Sequence, residues 1–134
     1  MLPTTDIPEI ELRNVHLPPF RAAIASGVAS IMTSFGDLAG IPASANQFLL
    51  GQILREEWGF TGLVVSDWDS ISQLKVHGFT ADDKESAYQA ASAGVDMEMA
   101  SRTYADHLAG LVAEGKLSSS RLDQMVSHVL RLKV

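Results

Sequence analysis

Asp67 is the residue whose type and setting most suggest chemistry. It lies between Ser66 and Trp68, where the apolar run Leu63-Val64-Val65 gives way to Ser66-Asp67-Trp68-Asp69-Ser70. A carboxylate at the mouth of a buried strand has two uses. It can act as a nucleophile or base, or it, or its neighbour Asp69, can cap a helix covering Ile71 to Val76. Trp68 sharpens the first use, because indole stacks on flat apolar faces such as sugar rings, although tryptophan also fills cores. Working residues of parallel α/β folds gather at the carboxyl ends of strands. That rule adds Thr33 to Asp37 and Glu98 to Ser101 to the candidates. Asp96 and Glu98 share one strand face; Asp96 reads as structural, and strand parity leaves the direction of Glu98 open.

Other chemistries find no residues. The histidines (His16, His77, His107 and His128) are scattered, with no H-E-x-x-H and no i, i+4 pair, so no metal is expected. Neither a G-x-G-x-x-G nor a Walker-type glycine loop occurs, no lysine ends a strand, and Gly-x-Ser-x-Gly is missing. No cofactor is therefore expected. Cysteine is absent, which excludes disulfides and thiol chemistry. A phospho-accepting receiver domain of similar length needs an acidic pair after its first strand and a lysine after its last. Here Thr33-Ser34-Phe35-Gly36-Asp37 holds one acid, and no lysine follows Met97 until Lys116.

The 134 residues carry 16 acidic and 10 basic side chains, a net charge of −6. That balance, without a basic stripe, argues against nucleic acid as a partner. No apolar run approaches the roughly 20 residues that span a bilayer, so no membrane partner is expected. With 46% hydrophobic residues the chain can build one domain core.

The elements that must hold Asp67 follow from the pattern. Asp6-x-x-Glu9 reads as a capping box, with Pro8 in the first helical turn and Pro18-Pro19 as an interruption. A short helix from Phe20 to Ser26 then stops at Gly27. Val28 to Thr33, Leu63 to Val65 and Val95 to Met99 read as strands. Ser44-x-x-Gln47 reads as a second capping box, ahead of the helical face Leu50, Ile53, Leu54 and Trp58, which ends at Gly59. Asp82 and Asp83 open a helix whose alanine face (Ala87, Ala90, Ala91) can pack closely before Gly94. Tyr104, Leu108, Leu111 and Val112 form one later stripe; Leu122, Met125, Val126 and Val129 form another. Strands alternating with helices predict an α/β fold with parallel strands. A complete (β/α)8 barrel needs about 250 residues, so the pattern leaves open a small open sheet or part of a barrel.

Gly59-Phe60-Thr61-Gly62-Leu63-Val64-Val65-Ser66-Asp67-Trp68 closely resembles the signature of glycoside hydrolase family 3, the β-glucosidase and β-xylosidase family. Leu17-Pro18-Pro19-Phe20, Ile31-Met32-Thr33-Ser34-Phe35, Gly40-Ile41-Pro42-Ala43 and Leu54-Arg55-Glu56-Glu57-Trp58 fall in family order. So do Ala93-Gly94-Val95-Asp96-Met97-Glu98-Met99 and Val129-Leu130-Arg131-Leu132-Lys133.

The resemblance implies a retaining double-displacement glycosidase acting at non-reducing β-linked glucose or xylose, with Asp67 as nucleophile. It places Trp68, Met32 and Phe35 at the sugar site. The family often has tyrosine at the Phe35 position and asparagine at those of Gly36 and Ala39. For the fold it implies the C-terminal part of a TIM-like (β/α)8 barrel, about three parallel strands with flanking helices. Residues 1–134 are then a partial N-terminal barrel domain, without the acid/base carboxyl, inactive alone and prone to self-association. Its substrate class is a β-glucoside or oligosaccharide, and a periplasmic or secreted location is what the family suggests. The opposing expectation is a non-catalytic α/β binding or assembly module in which Asp67 is a helix cap.

Overall fold

A computed structural model of the protein describes residues 4–134. Its architecture is α/β: three parallel strands separated by helices, with a second, smaller sheet beside them. β1 (Thr4–Thr5) precedes α1 (Glu9–Glu11), whose path continues through Leu12–His16 in wider π-type turns. The Asp6–Glu9 capping box does not form. Pro8 occupies the cap position, and Glu9, already helical, pairs instead with Arg13 at 2.6 Å. The break at Pro18-Pro19 falls where expected, but α2 (Pro18–Ala25) takes both prolines into its first turn, where backbone N–H groups lack partners anyway.

β2 (Ser30–Met32) is followed by the hairpin of β3 (Asp37–Leu38) and β4 (Ile41–Pro42), which the sequence reading missed. Its turn residues Ala39 and Gly40 both have positive φ, at 52° and 81°, the handedness that suits a tight hairpin. β1 joins β3 in parallel and completes this small sheet.

The next helix, Phe48–Glu57, is π-wound. Its entrance is capped by Asn46, whose side-chain oxygen accepts the Leu49 N–H at 3.1 Å. The expected Ser44–Gln47 box is thus wrong: Ser44 lies in a 3-10 turn, Ala43–Ala45, with its hydroxyl buried among other side chains. The predicted face is right, since Leu50, Ile53 and Leu54 are buried.

β5 (Leu63–Trp68), α3 (Gln73–Val76), α4 (Asp83–Ala93), β6 (Met97–Met99), α5 (Thr103–Ala113) and α6 (Ser119–Lys133) complete the order. β5 is central, parallel to β2 on one side and β6 on the other. Val64 and Ser66 are fully buried, Val64 in a core with Ala87, Ala90, Ala91 and Val95. Alternation sends Val65 and Asp67 to the opposite face. The register aligns Met32, Val65 and Met97 in one row, and on this uncovered face Met32 is 48% and Met97 44% exposed.

α4 begins as expected: Asp82 caps it by accepting the Glu85 N–H at 2.8 Å, and the alanine face is wholly buried. Leu122 and Met125 of the expected α6 stripe pack on the core, and Val126 alone of the four is exposed, at 48%. His128 also faces inward. The cause is Asp96, whose buried carboxylate meets Arg55 at 2.7 Å, and Arg121 and His128 Nδ1 at 3.0 Å each. It also accepts the Val64 N–H at 3.0 Å. Asp96 is therefore structural, as its position suggested. Burial lowers the pKa of the Arg55 guanidinium, and the charge of Asp96 opposes that shift. Among the described residues, no helix is long and apolar enough to cross a membrane.

Candidate functional site

The carboxyl ends of β5 and β6 meet where Trp68 stands opposite Met99, with a register irregularity between Val65 and Trp68 that includes Asp67. Asp67 is half-buried on the uncovered face. Its Oδ1 accepts the Trp68 N–H at 2.7 Å, the one hydrogen bond its carboxylate receives among the described residues. Trp68 beside it is 66% exposed, an unpaired indole face at the rim. A carboxylate with a free oxygen beside an open aromatic surface suits attack on a flat or ring-shaped ligand.

The backbone here is unusual. Asp69 and Ala100, just beyond the ends of β5 and β6, both adopt left-handed conformations, φ 58° and 72°. Non-glycine residues rarely hold such angles, and they gather at functional sites. Two features hold Asp69 in place: its N–H donates to the Met99 carbonyl at 3.0 Å, and its carboxylate accepts the Ser72 hydroxyl.

The helix-cap expectation for Asp67 fails. α3 begins only at Gln73, no side chain caps it, and the Asp67 carboxylate touches none of its N–H groups. Asp69 comes nearer to that role, yet its carboxylate bonds a hydroxyl rather than a helix amide. Glu98 is also occupied. Its carboxylate accepts the Tyr104 N–H at 2.7 Å and the Ser101 hydroxyl, steering the chain into α5. Burial pushes the Tyr104 hydroxyl well above its ordinary pKa, and that hydroxyl donates to the Val95 carbonyl at 2.8 Å.

Of the other candidates, Met32 lies in the row next to Val65, two residues short of Asp67 along the strand direction. It also borders an apolar cavity of about 240 Å³ between α2 and the Phe48–Glu57 helix, lined by Phe20, Ile31, Leu49 and Ile53. Phe35 occupies the loop between β2 and the hairpin, partly exposed. Sequence reasoning missed a chain of buried hydroxyls beneath the site. Thr33 Oγ1 lies 2.7 Å from Ser44 Oγ, which lies 2.9 Å from Ser70 Oγ. Their only sequence signal is small hydroxyl side chains amid apolar neighbours. Among the described residues, no group of three or more His, Asp or Glu is placed to hold a metal ion.

The chain is similar to proteins of one family. Residues 1–132 match the family model described as the glycosyl hydrolase family 3 N-terminal domain. A periplasmic beta-glucosidase of Salmonella typhimurium is 39% identical over 130 residues, 97% of this chain and 17% of the relative. A beta-xylosidase of Formosa agariphila is 42% identical over 97 residues, 71% of this chain and 13% of the relative. The crystal structure of a beta-glucosidase from Listeria innocua in complex with glucose superimposes with a TM-score of 0.95 at 40% identity. It covers 97% of this chain and 18% of that one. The chain thus spans less than a fifth of the length of these relatives.

Proposed function

Because the chain belongs to glycosyl hydrolase family 3, we propose that it carries the nucleophile and part of the sugar site of a retaining β-glycosidase. Its substrates are glycosides with a non-reducing β-linked glucose or xylose. The observation that carries this reading is the placement of Asp67: the end of the central parallel strand, on the uncovered face, with one carboxylate oxygen free beside an exposed indole. Retaining hydrolysis needs two carboxyl groups about 5 Å apart, one attacking the anomeric carbon while the other protonates the leaving oxygen. Asp67 is the attacking group. It forms a bond to C1 as the glycosidic C–O bond breaks, and water then displaces it with overall retention.

Trp68 offers its ring to the sugar, while Met32 and Phe35 form an apolar border to the glycone subsite. Glu98 is a poor choice for the acid, because both its bonds organise the start of α5. The acid/base carboxyl belongs to polypeptide outside these residues, and so do the strands that cover the Met32–Val65–Met97 row. In this reading the three strands are the last part of a (β/α)8 barrel, and the 134 residues alone give no turnover. The uncovered apolar row and the parallel register support it.

The test uses the intact enzyme. Asp67→Ala is expected to lower kcat about a thousandfold or more, with partial rescue by azide. A 2-fluoro-glycoside is expected to leave its covalent tag on the peptide carrying Asp67. Near-normal turnover by the variant, or a tag on another residue, would refute the assignment. The binding-module reading retains no support from a cap, because Asp67 caps nothing.

A further inference from the structure

The carbonyl of Asp67 is held twice, by the Ser66 hydroxyl at 3.0 Å and by the Ser70 N–H at 3.2 Å. Ser66 is itself tied across the sheet, since its Oγ accepts the Met99 N–H at 2.9 Å. Ser70 has no such strand to lean on. It directly follows Asp69, whose left-handed backbone is costly for a residue with a side chain. Its turn is tied through the Asp69 N–H to the Met99 carbonyl, and its side chain is fixed separately, the hydroxyl bonded through Ser44 to Thr33 in a series of three buried groups. Thr33 is anchored in turn, its N–H donating to the Val65 carbonyl at 3.0 Å, two residues before Asp67. The path therefore closes on itself: from Asp67 through Ser70, Ser44 and Thr33, and back to β5 ahead of the nucleophile.

We propose that Ser70 is a positioning residue for Asp67, fixed from the neighbouring strand end by the Thr33–Ser44 hydroxyls. The proposal rests on the reading of Asp67 as nucleophile. Loss of the Ser70 hydroxyl leaves Ser44 bonded only to Thr33 and removes the tie from the β2 side on the turn that donates to the Asp67 carbonyl. The carboxylate, two rotatable bonds beyond that backbone, then samples a wider range around the line of attack. Attack on C1 tolerates little misplacement. A second buried hydroxyl pair, Thr80 and Ser86 at 2.6 Å, has the same chemistry but joins the start of α4 to its own preceding loop. It serves as the comparison for a purely structural role.

The experiment compares Ser70→Ala, Ser44→Ala, their combination and Ser86→Ala in the intact enzyme. It measures kcat, KM and the rate at which a 2-deoxy-2-fluoro-β-glucoside labels Asp67, each well below the variant's unfolding midpoint. Ser70→Ala and Ser44→Ala are each expected to slow labelling about tenfold with KM nearly unchanged. Because the hydroxyls act in series, the combination should be no slower than either alone. Ser86→Ala should lose stability and label at the wild-type rate. Ser44→Ala leaves Ser70 intact, so it tests the same link if Ser70→Ala does not fold. Unchanged labelling in both single variants, or multiplied losses in the combination, would overturn the positioning role while leaving Asp67 in place. A tag on some other residue would remove both readings.

Discussion

Gly62, at the entry to β5, has no space for a side chain. A Cβ there would stand 2.4 Å from the Ala29 carbonyl oxygen and 2.6 Å from the Phe60 ring. The Ala29 oxygen already accepts the Leu63 N–H at 3.1 Å, and the Gly62 carbonyl accepts from Arg55 at 2.7 Å, so neither side can yield freely. Gly62→Ala is therefore expected to cost about 1–3 kcal/mol, read as a lower midpoint in urea. Individual residues were legible where a strand delivered them to an end. The position of Asp67 near the carboxyl end of β5 and the structural place of Asp96 before Met97 both follow from the strand pattern. Thr33, Ser44 and Ser70 were not assembled, because a lone hydroxyl residue carries no period and its partners lie far away in the chain.

At the scale of elements, Asp96 fastens four pieces at once: β6, which it precedes; β5, through the Val64 N–H; the Phe48–Glu57 helix, through Arg55; and α6, through Arg121 and His128. Asp96→Ala would strand the surrounding cations, a kind of loss that costs about 3–5 kcal/mol. The expected outcome is loss of cooperative unfolding or a large drop in the urea midpoint, with α6 amides losing hydrogen-exchange protection first. Wild-type protection across α6 would contradict this. The same cluster explains the one position of the α6 face that was misread. Apolar periodicity chose Val126, whereas pairing with a buried carboxylate draws in His128. Helix bodies were readable from their apolar stripes and final glycines. First turns were legible at Asp82 of α4 and not at two earlier helices, since Ser44 and Asp6 match a capping pattern that Asn46 and Pro8 pre-empt. The two-residue strands of the hairpin escaped notice because they contain no apolar run at all.

For the molecule as a whole, the uncovered row of Met32, Val65 and Met97 is the dominant surface feature. The 134 residues expressed alone are expected to associate with increasing concentration, and Met32→Lys with Met97→Lys to reverse this. Sedimentation velocity checks it; a monomer at all concentrations would count against an uncovered sheet face. Acid sensitivity is set elsewhere. Hydrogen bonds from Arg13 hold the Glu57 carboxyl below its ordinary 4.5, and those from Lys84 do the same for Glu114. A folded pKa below the unfolded one means stabilisation that is full above about 4.5 and lost as pH falls through the lowered value. Both pairs are exposed, so each effect is small. Glu57→Gln with Glu114→Gln should flatten the fall of the melting temperature below about pH 4.5.

The register of the main sheet also dictates an order of events. Residue 30 meets residue 63 and residue 65 meets residue 97, so no strand of this sheet pairs with a near neighbour in the chain. A long loop must close before the first ladder bond is made. The strand end that presents Asp67 therefore depends on two long-range closures, one to β2 and one to β6.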